Sequence, residues 1–507
     1  MQHKSYLTLL GGALLMAAAP AHAQEDFAAS CGQVMEMTLG EGLALTQSDY
    51  VAKTDELPAH CDVRGTIGGN VKFALLLPED WNSRFVMVGN GGKAGSLQLN
   101  DASQRMSEGF AAITTDTGHD ASIPEQAGSR FGTDPDMERD FGYQAVHDTA
   151  STGKELTEVL YGQEPEQSYW IGCSTGGRQG MMEFQRFPDD FDGYVVGAPV
   201  YNYTSQQMSA PAFLRPLYPD NNPTGGNPII PFEKLSVLGA AVTAHCDGAD
   251  GLVDGLVSNP AACDFSPSRD LAICESGGDD CFTTAQVEAL EKVYAGIKAS
   301  DGSSLVNGMP VGGEAVPGSW GSWLIPKPAP DVASMPLLHR VMLDAFNYLM
   351  FEEDSADYNY MTDFDFETDP ARMAGAAKTY NATDPNIADV KSSGKKIIMY
   401  HGWADAASNP YNSIDYRTAV DETVGEADSF LKLYMVPGMA HCRGGIGFEN
   451  ADFVTALIDW VENDKAPAAI EATRTADMAT RALCPYPQLA MYDGKGDINS
   501  SDSYSCQ

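Results

Sequence analysis

The stretch Tyr169-Trp-Ile-Gly-Cys-Ser174-Thr-Gly-Gly-Arg-Gln-Gly180 decides how this chain is read. An aromatic and β-branched run stops at Gly172-Cys173-Ser174-Thr175-Gly176. Met181, Met182, Phe184 and Phe187 then recur at the spacing of a helix's buried stripe. The pattern is strand, sharp turn, helix. Small residues flanking a serine let the backbone bend tightly enough to hold its hydroxyl clear of a sheet, so Ser174 is the candidate nucleophile. Glycine-rich pentapeptides also arise by chance, but the strand before this one and the helix after it favour a nucleophile elbow.

Short apolar strands are expected at Phe73–Leu77 and Phe85–Val88, separated by Pro78, Asp80 and Asn82. The loop Gly89-Asn-Gly-Gly-Lys-Ala-Gly95 follows the second of them. An elbow serine needs two main-chain donors for the oxyanion, one after the nucleophile and one from such a loop, which points to Thr175 and to Gly91 or Gly92. A phosphate loop would end in Lys-Ser/Thr, and this one does not. Phe110–His119 reads as a further strand with its exit loop, and Gln144–Leu160 as a helix returning to the elbow strand. Strands alternating with helices predict an α/β protein with a mainly parallel sheet covered on both faces, here an α/β-hydrolase fold.

The alternation breaks after Gly197-Ala-Pro199 and resumes at Lys395. Residues 201–393, rich in Pro, Gly and Asn, are expected to form an inserted lid domain over the carboxyl ends of the strands, with 24–200 and 394–507 forming the catalytic domain. Trp320, Trp323, Phe346, Tyr348 and Phe351 are candidates for an aromatic pocket wall, against the plainer reading of lid core. Within the lid, Cys246-Asp-Gly-Ala-Asp-Gly-Leu-Val-Asp-Gly-Leu-Val257 gathers Asp247, Asp250 and Asp254 with the carbonyls of Leu252 and Leu256. Such a set of hard oxygens suits a structural Ca2+ ion, although the spacing is not that of an EF-hand.

Lys395-Lys-Ile-Ile-Met-Tyr-His-Gly-Trp-Ala-Asp405 and Leu431-Lys-Leu-Tyr-Met-Val-Pro-Gly-Met-Ala-His441-Cys442 are two late strands with their exit loops, followed by a helix over Phe453–Glu462. Asp405 and His441 complete the chain order Ser, Asp, His. His401 is the rival base, disfavoured because it precedes the acid and sits on the strand end. His119 and His147 are assigned structural roles.

Acidic residues outnumber basic ones 70 to 31, for a formal net charge of −39. A surface of that sign repels phosphate backbones and argues against a nucleic-acid partner. Residues 1–23 carry Lys4, an apolar run from Tyr6 to Ala19 and Ala21-His22-Ala23 before Gln24-Glu25-Asp26. This predicts a signal peptide cut after Ala23 and a product exported to a periplasm or beyond, with no membrane attachment afterwards. The ten cysteines then read as disulfides. Nearest-neighbour pairing gives Cys31–Cys61, Cys246–Cys263, Cys274–Cys281 and Cys484–Cys506. It leaves Cys173 and Cys442, one beside Ser174 and the other beside His441.

Gly-Cys-Ser-Thr-Gly-Gly-Arg, His-Gly-Trp-Ala-Asp and Gly-Met-Ala-His-Cys together resemble the tannase and feruloyl esterase family, which includes mono(2-hydroxyethyl) terephthalate hydrolases. The resemblance runs from about Cys31 to Cys506. It implies a triad of Ser174, Asp405 and His441, the Cys173–Cys442 bridge, and calcium held by Asp247, Asp250, Leu252, Asp254 and Leu256. It also implies a serine esterase acting on small esters of aromatic acids without an organic cofactor. Neither Arg340 nor Arg372, the arginines of the later lid, has a sequence context that marks it as a carboxylate partner. A hydroxycinnamoyl (feruloyl) ester is therefore the preferred substrate, ahead of a terephthalate half-ester or a gallate ester. A catalytically idle, calcium-stabilised binding protein is the rival from another class. It would have lost a triad residue, and none is missing.

Overall fold

The computed structural model describes residues 21–36, 42–276, 278–328 and 334–507. The expected leader, 1–23, lies outside them except for its last three residues, which open the helix Ala21–Gln33.

Nine strands form one sheet: β1 (Leu43–Val51), β2 (His60–Ile67), β3 (Val71–Pro78), β4 (Arg84–Val88), β5 (Ala111–Thr115), β6 (Gln167–Cys173), β7 (Gly193–Gly197), β8 (Lys396–Gly402) and β9 (Leu431–Val436). Their spatial order is β1-β2-β3-β5-β4-β6-β7-β8-β9. The pairs from β5 through β9 are parallel, whereas β1, β2 and β3 join antiparallel at one edge. This is the α/β-hydrolase arrangement. Parallel strands are buried on both faces, and the side-chain period of two divides them between two cores. Phe85, Met87, Ile397 and Met399 enter one, and Val86, Val88 and Ile398 the other.

The expected helices lie at Ala145–Tyr161 and Phe453–Asn463, within a residue of their predicted ends. The elbow strand is β6, and the helix Thr175–Arg186 follows Ser174 directly.

The chain between β7 and β8 builds a third hydrophobic cluster around the helices Tyr203–Leu217, Lys234–Cys246 and Thr284–Ala295, joined by Phe131, Phe141 and Ala406. Of the proposed aromatic wall, Trp320 and Phe346 are buried in this cluster. Phe351 packs against its edge beneath the Arg372 guanidinium, which lies 4.1 Å from the ring centroid. Five bridges close the chain: Cys31–Cys61, Cys173–Cys442, Cys246–Cys263, Cys274–Cys281 and Cys484–Cys506. No helix of the described residues is long and apolar enough to cross a membrane.

Where this cluster meets the loop after β8, Glu314 is buried and accepts hydrogen bonds from the Tyr294 hydroxyl (2.7 Å) and the Gly312 N–H (2.9 Å). Burial pushes its carboxyl up to about 7, although these bonds oppose the shift. Between the unfolded carboxyl's range near 4.5 and about 7, the native state keeps a proton that the unfolded chain has lost. Stability from this group therefore falls as pH rises through that window, by on the order of 3 kcal/mol. Glu314→Gln removes the titration. Urea unfolding at pH 4.5 and pH 8 should show the variant losing less stability than the wild type across the interval, and equal losses would refute the assignment.

Candidate active site

The elbow is a problem of close approach. A Cβ on Gly172 would lie 2.5 Å from the Gly176 carbonyl oxygen, and one on Gly89 would lie 2.7 Å from the Gly176 Cα. Glycine at these positions lets the helix start against β4 and β6. The turn puts Ser174 at φ 63°, ψ −120°, a conformation that costs a non-glycine residue about 1–3 kcal/mol and is held by its surroundings. Its N–H donates to the Gly197 carbonyl (3.0 Å), and its own carbonyl accepts from Val200 (3.2 Å).

His441 stands beyond the end of β9. Its Nε2 is 2.9 Å from Ser174 Oγ, and its Nδ1 is 2.7 Å from Asp405 Oδ2. Cys173 and Cys442 flank the serine and the histidine, and their disulfide crosses a sequence separation of 269 with Cα atoms 6.0 Å apart. Cys442 is also at positive φ, 61°, so both bridged turns bear strain.

Asp405 is fully enclosed. Burial alone would raise its carboxyl, but the charge on His441 and the hydrogen bonds from His401 and His441 outweigh it and hold the group well below the usual carboxylate range. Its Oδ1 accepts from the N–H groups of Ala407 (2.7 Å) and Ser408 (2.9 Å). His401 has no exposure at all. Its Nε2 faces the Ser408 carbonyl (2.9 Å) and Asp405 Oδ2 (3.2 Å), while Nδ1 faces the Ser413 hydroxyl (2.8 Å). With Nε2 as donor and Nδ1 as acceptor, both nitrogens are used. His401 is thus a hydrogen-bond partner of Asp405 with neither nitrogen turned to the cavity.

On the opposite side of Ser174, the loop after β4 carries Gly91 and Gly92, which line the same cavity as Thr175. The Asn90 N–H is already committed to Gln179 Oε1 (2.9 Å), and the Thr175 hydroxyl donates to the Gly92 carbonyl. Gln179 Nε2 donates to Asn90 Oδ1 (3.1 Å), and Asn90 Nδ2 reaches the carbonyls of Ser96 (3.0 Å) and Thr115 (2.8 Å). The nucleophile helix thus fixes the glycine loop through a buried, fully paired amide couple. Arg178, also fully buried, donates to the carbonyls of Phe141 (2.9 Å) and Gly142 (3.0 Å).

The cavity in front of Ser174 has a volume of about 1090 Å³. Trp323, its ring centroid 5.3 Å from that of His441, belongs to the wall, as do Gln207, Arg340 and Arg443. The other four aromatic candidates do not line the cavity, and neither does Arg372, which pairs with Asp369 at 2.7 Å. His119 is buried and stacked on Phe131.

In the loop 247–256, Asp247 accepts from the N–H groups of Asp254 (3.2 Å) and Gly255 (2.9 Å). Asp250 accepts from Leu252 (3.0 Å), and Asp254 accepts from Leu256 (3.1 Å) and Arg481 (2.8 Å). Burial raises the Asp250 carboxyl, against the opposing Leu252 N–H and the Ser258 hydroxyl beside it. The single guanidinium of Arg481 does not balance three carboxylates, so the donor set fits a hard divalent cation. The oxygens of the three aspartates do not all lie within 4.8 Å of one another. Ligands on opposite sides of Ca2+, each at about 2.3–2.6 Å, would show a similar spread.

The profile of the tannase and feruloyl esterase family matches residues 57–507. The chain belongs to that family. It is 33% identical to the mono(2-hydroxyethyl) terephthalate hydrolase of Piscinibacter sakaiensis, over 90% of this chain and 86% of that one. It is also 33% identical to a probable feruloyl esterase of Arthroderma benhamiae, over 85% of this chain and 81% of the relative. The crystal structure of feruloyl esterase B from Aspergillus oryzae superposes with a TM-score of 0.82 at 26% identity, covering 95% of this chain and all of the other. Family membership makes the chain a carboxylic ester hydrolase of α/β-hydrolase fold.

Sequence reasoning missed His401 as the acid's second partner, and it missed the Asn90–Gln179 couple. Replacing Gln179 with Ala leaves the buried Asn90 N–H without its acceptor. We expect a loss of about 1–3 kcal/mol in urea unfolding and at least a tenfold fall in kcat with KM little changed. An unchanged kcat would show that this couple does not set the loop.

Proposed function

We propose that this enzyme hydrolyses esters of aromatic carboxylic acids through an acyl-enzyme on Ser174. The observation that carries the reading is the unbroken relay from Ser174 Oγ to His441 to Asp405, at 2.9 and 2.7 Å. His441 Nε2 takes the proton as Ser174 Oγ attacks the ester carbonyl. The N–H groups of Thr175 and of Gly91 or Gly92 hold the oxyanion, and Asp405 stays ionised and stabilises the imidazolium. When the tetrahedral adduct collapses, His441 returns the proton to the departing alcohol. Water, deprotonated by the same nitrogen, then releases the acid. No step calls for an organic cofactor, and an intact relay weighs against the idle binding protein.

Residues 201–393 would act as the lid domain on a catalytic domain of 24–200 and 394–507, supplying Trp323, Gln207 and Arg340 to the pocket. Ca2+, held by Asp247, Asp250, Asp254 and the carbonyls of Leu252 and Leu256, would neutralise the lid loop. With its disulfides and its leader, the enzyme would work in a periplasm or outside the cell on a small-molecule ester. Its acidic surface offers nothing to nucleic acid.

Gln207 in the cavity wall favours a phenolic acid, hydroxycinnamoyl or gallic: its Oε1 lacks a donor among the described residues, and a small rotation of the side chain would turn it to a phenolic hydroxyl. A second reading, a terephthalate half-ester, draws on Arg340 and Arg443. Both are exposed at the cavity without an ion pair among the described residues, and either could meet a free carboxylate.

Initial rates on methyl ferulate, methyl gallate and mono(2-hydroxyethyl) terephthalate should rank methyl ferulate first. Ser174→Ala should lose at least about 10⁴-fold in kcat with its circular dichroism unchanged, and residual wild-type turnover would sink the triad. Gln207→Leu should raise KM for methyl ferulate about tenfold. If the half-ester ranks first instead and Arg340→Gln abolishes that preference, the second reading replaces the first.

A further inference from the structure

A second group of chemistry-bearing side chains lies away from the triad. Glu183 is on the nucleophile helix, His147 is in the first turns of the helix Ala145–Tyr161, and Asp190 is in the loop leading to β7. One donor atom from each lies within 4.8 Å of the others. His147 stacks on Phe187 with ring centroids 3.9 Å apart, and this fixes its Nδ1 at 2.6 Å from Asp190 Oδ2.

Glu183 has no exposed surface, and apart from the Asp190 carboxyl beside it no side chain or main-chain group among the described residues meets its carboxylate oxygens. Burial and the neighbouring Asp190 push its carboxyl well above the usual carboxylate range, so it keeps its proton unless a cation is present to meet it. Lys154 does not meet it directly: its ammonium donates to the Asp190 main-chain carbonyl and lies 5.2 Å from the Phe191 ring centroid. The Tyr194 hydroxyl is also fully buried, within the field of Glu183 and Asp190, with only the Phe191 main chain beside it.

We propose that His147, Glu183 and Asp190 form a binding site for a divalent transition-metal cation of the zinc type. One imidazole nitrogen with two carboxylate oxygens is a donor set for a borderline cation in a four-coordinate site. Ca2+ would want six to eight oxygens, which this group does not offer. The fourth position falls to water, admitted along the His147 side chain, which is 32% exposed. An ion here would tie the nucleophile helix to the helix beside it and to the loop entering β7, behind the catalytic face. Its role would be structural, since nothing in the cluster touches Ser174.

The test uses the full-length protein, stripped with a chelator and then kept in excess Ca2+ so that the lid loop does not confound the result. After incubation with Zn2+ and gel filtration, elemental analysis should find one retained zinc per chain, and Tm should rise with zinc concentration. His147→Ala and Glu183→Gln should each lose the retained zinc and the rise, whereas Asp254→Asn in the lid loop should keep both. Should Glu183→Gln fail to fold, the half-exposed His147 decides the matter alone. Zinc retained equally by His147→Ala would place it at a surface pair such as His245 and Asp264 and overturn the proposal. No retained zinc in the wild type would also overturn it, leaving Glu183 to share a proton with Asp190.

Discussion

Everything in this molecule turns on how closely one helix can start against two strands. The nucleophile helix begins where the main chain of Gly172, Gly176 and Gly89 meets with no room for a β-carbon. That contact forces Ser174 into positive φ. It also brings the Thr175 hydroxyl to the Gly92 carbonyl and Gln179 to Asn90, so one steric event sets both the attacking oxygen and the loop that faces it. The strain is confined to a turn whose neighbours on both sides are hydrogen-bonded, and for that reason it persists.

The Cys173–Cys442 bridge carries the constraint across the sheet. In the chain-entropy model, closing a loop of that length is worth at most about 5 kcal/mol. Position matters more than that sum. The bridged cysteines are the immediate neighbours of Ser174 and His441, so the serine and the histidine cannot drift apart by loop motion. Asp405 is held from the other side by His401 and by two main-chain N–H groups, and its charge is secured against burial by the two histidines it touches. The three groups arrive from loops after β6, β8 and β9; Asp405 is fixed by partners within a few residues of itself, whereas Ser174 and His441 are held by Gly197, Val200 and the long bridge.

Electrostatics divide the surface from the site. The chain is strongly acidic, but the cavity wall presents Arg340 and Arg443 without ion pairs among the described residues. The loop 247–256 instead concentrates three aspartates beside one arginine. Glu183, on the buried face of the helix Thr175–Arg186, is pushed by burial well above the usual carboxylate range. Asp405 stays charged inside because two histidines meet it, whereas burial drives Glu183 and Glu314 towards their protonated forms.

Much of this was legible in the chain. The G-x-S-x-G turn, the alternation of short apolar strands with helices, and the Cys-Ser and His-Cys doublets are local patterns. Local sterics and period-two burial dictate the sheet, the elbow and the positions of Asp405 and His441 at strand ends. The cysteine pairing followed from proximity in sequence, and the long bridge from what remained. Other features depend on residues that meet only after folding. Trp320 and Trp323 sit one helical turn apart with similar surroundings in sequence, yet one is core and the other faces His441, because only packing decides which side of a short helix meets the cavity. His401 reads as a rival base until the backbone turns both of its nitrogens inward. Arg340 and Arg372 are alike in sequence until one lies at the cavity and the other pairs with Asp369. The sequence by itself determined the fold and the placing of Ser174, Asp405 and His441 at strand ends, since these rest on local conformation and hydrophobic period. The tertiary structure alone decided which side chains line the pocket and which buried charges remain unpaired, because those depend on contacts between segments far apart in the chain.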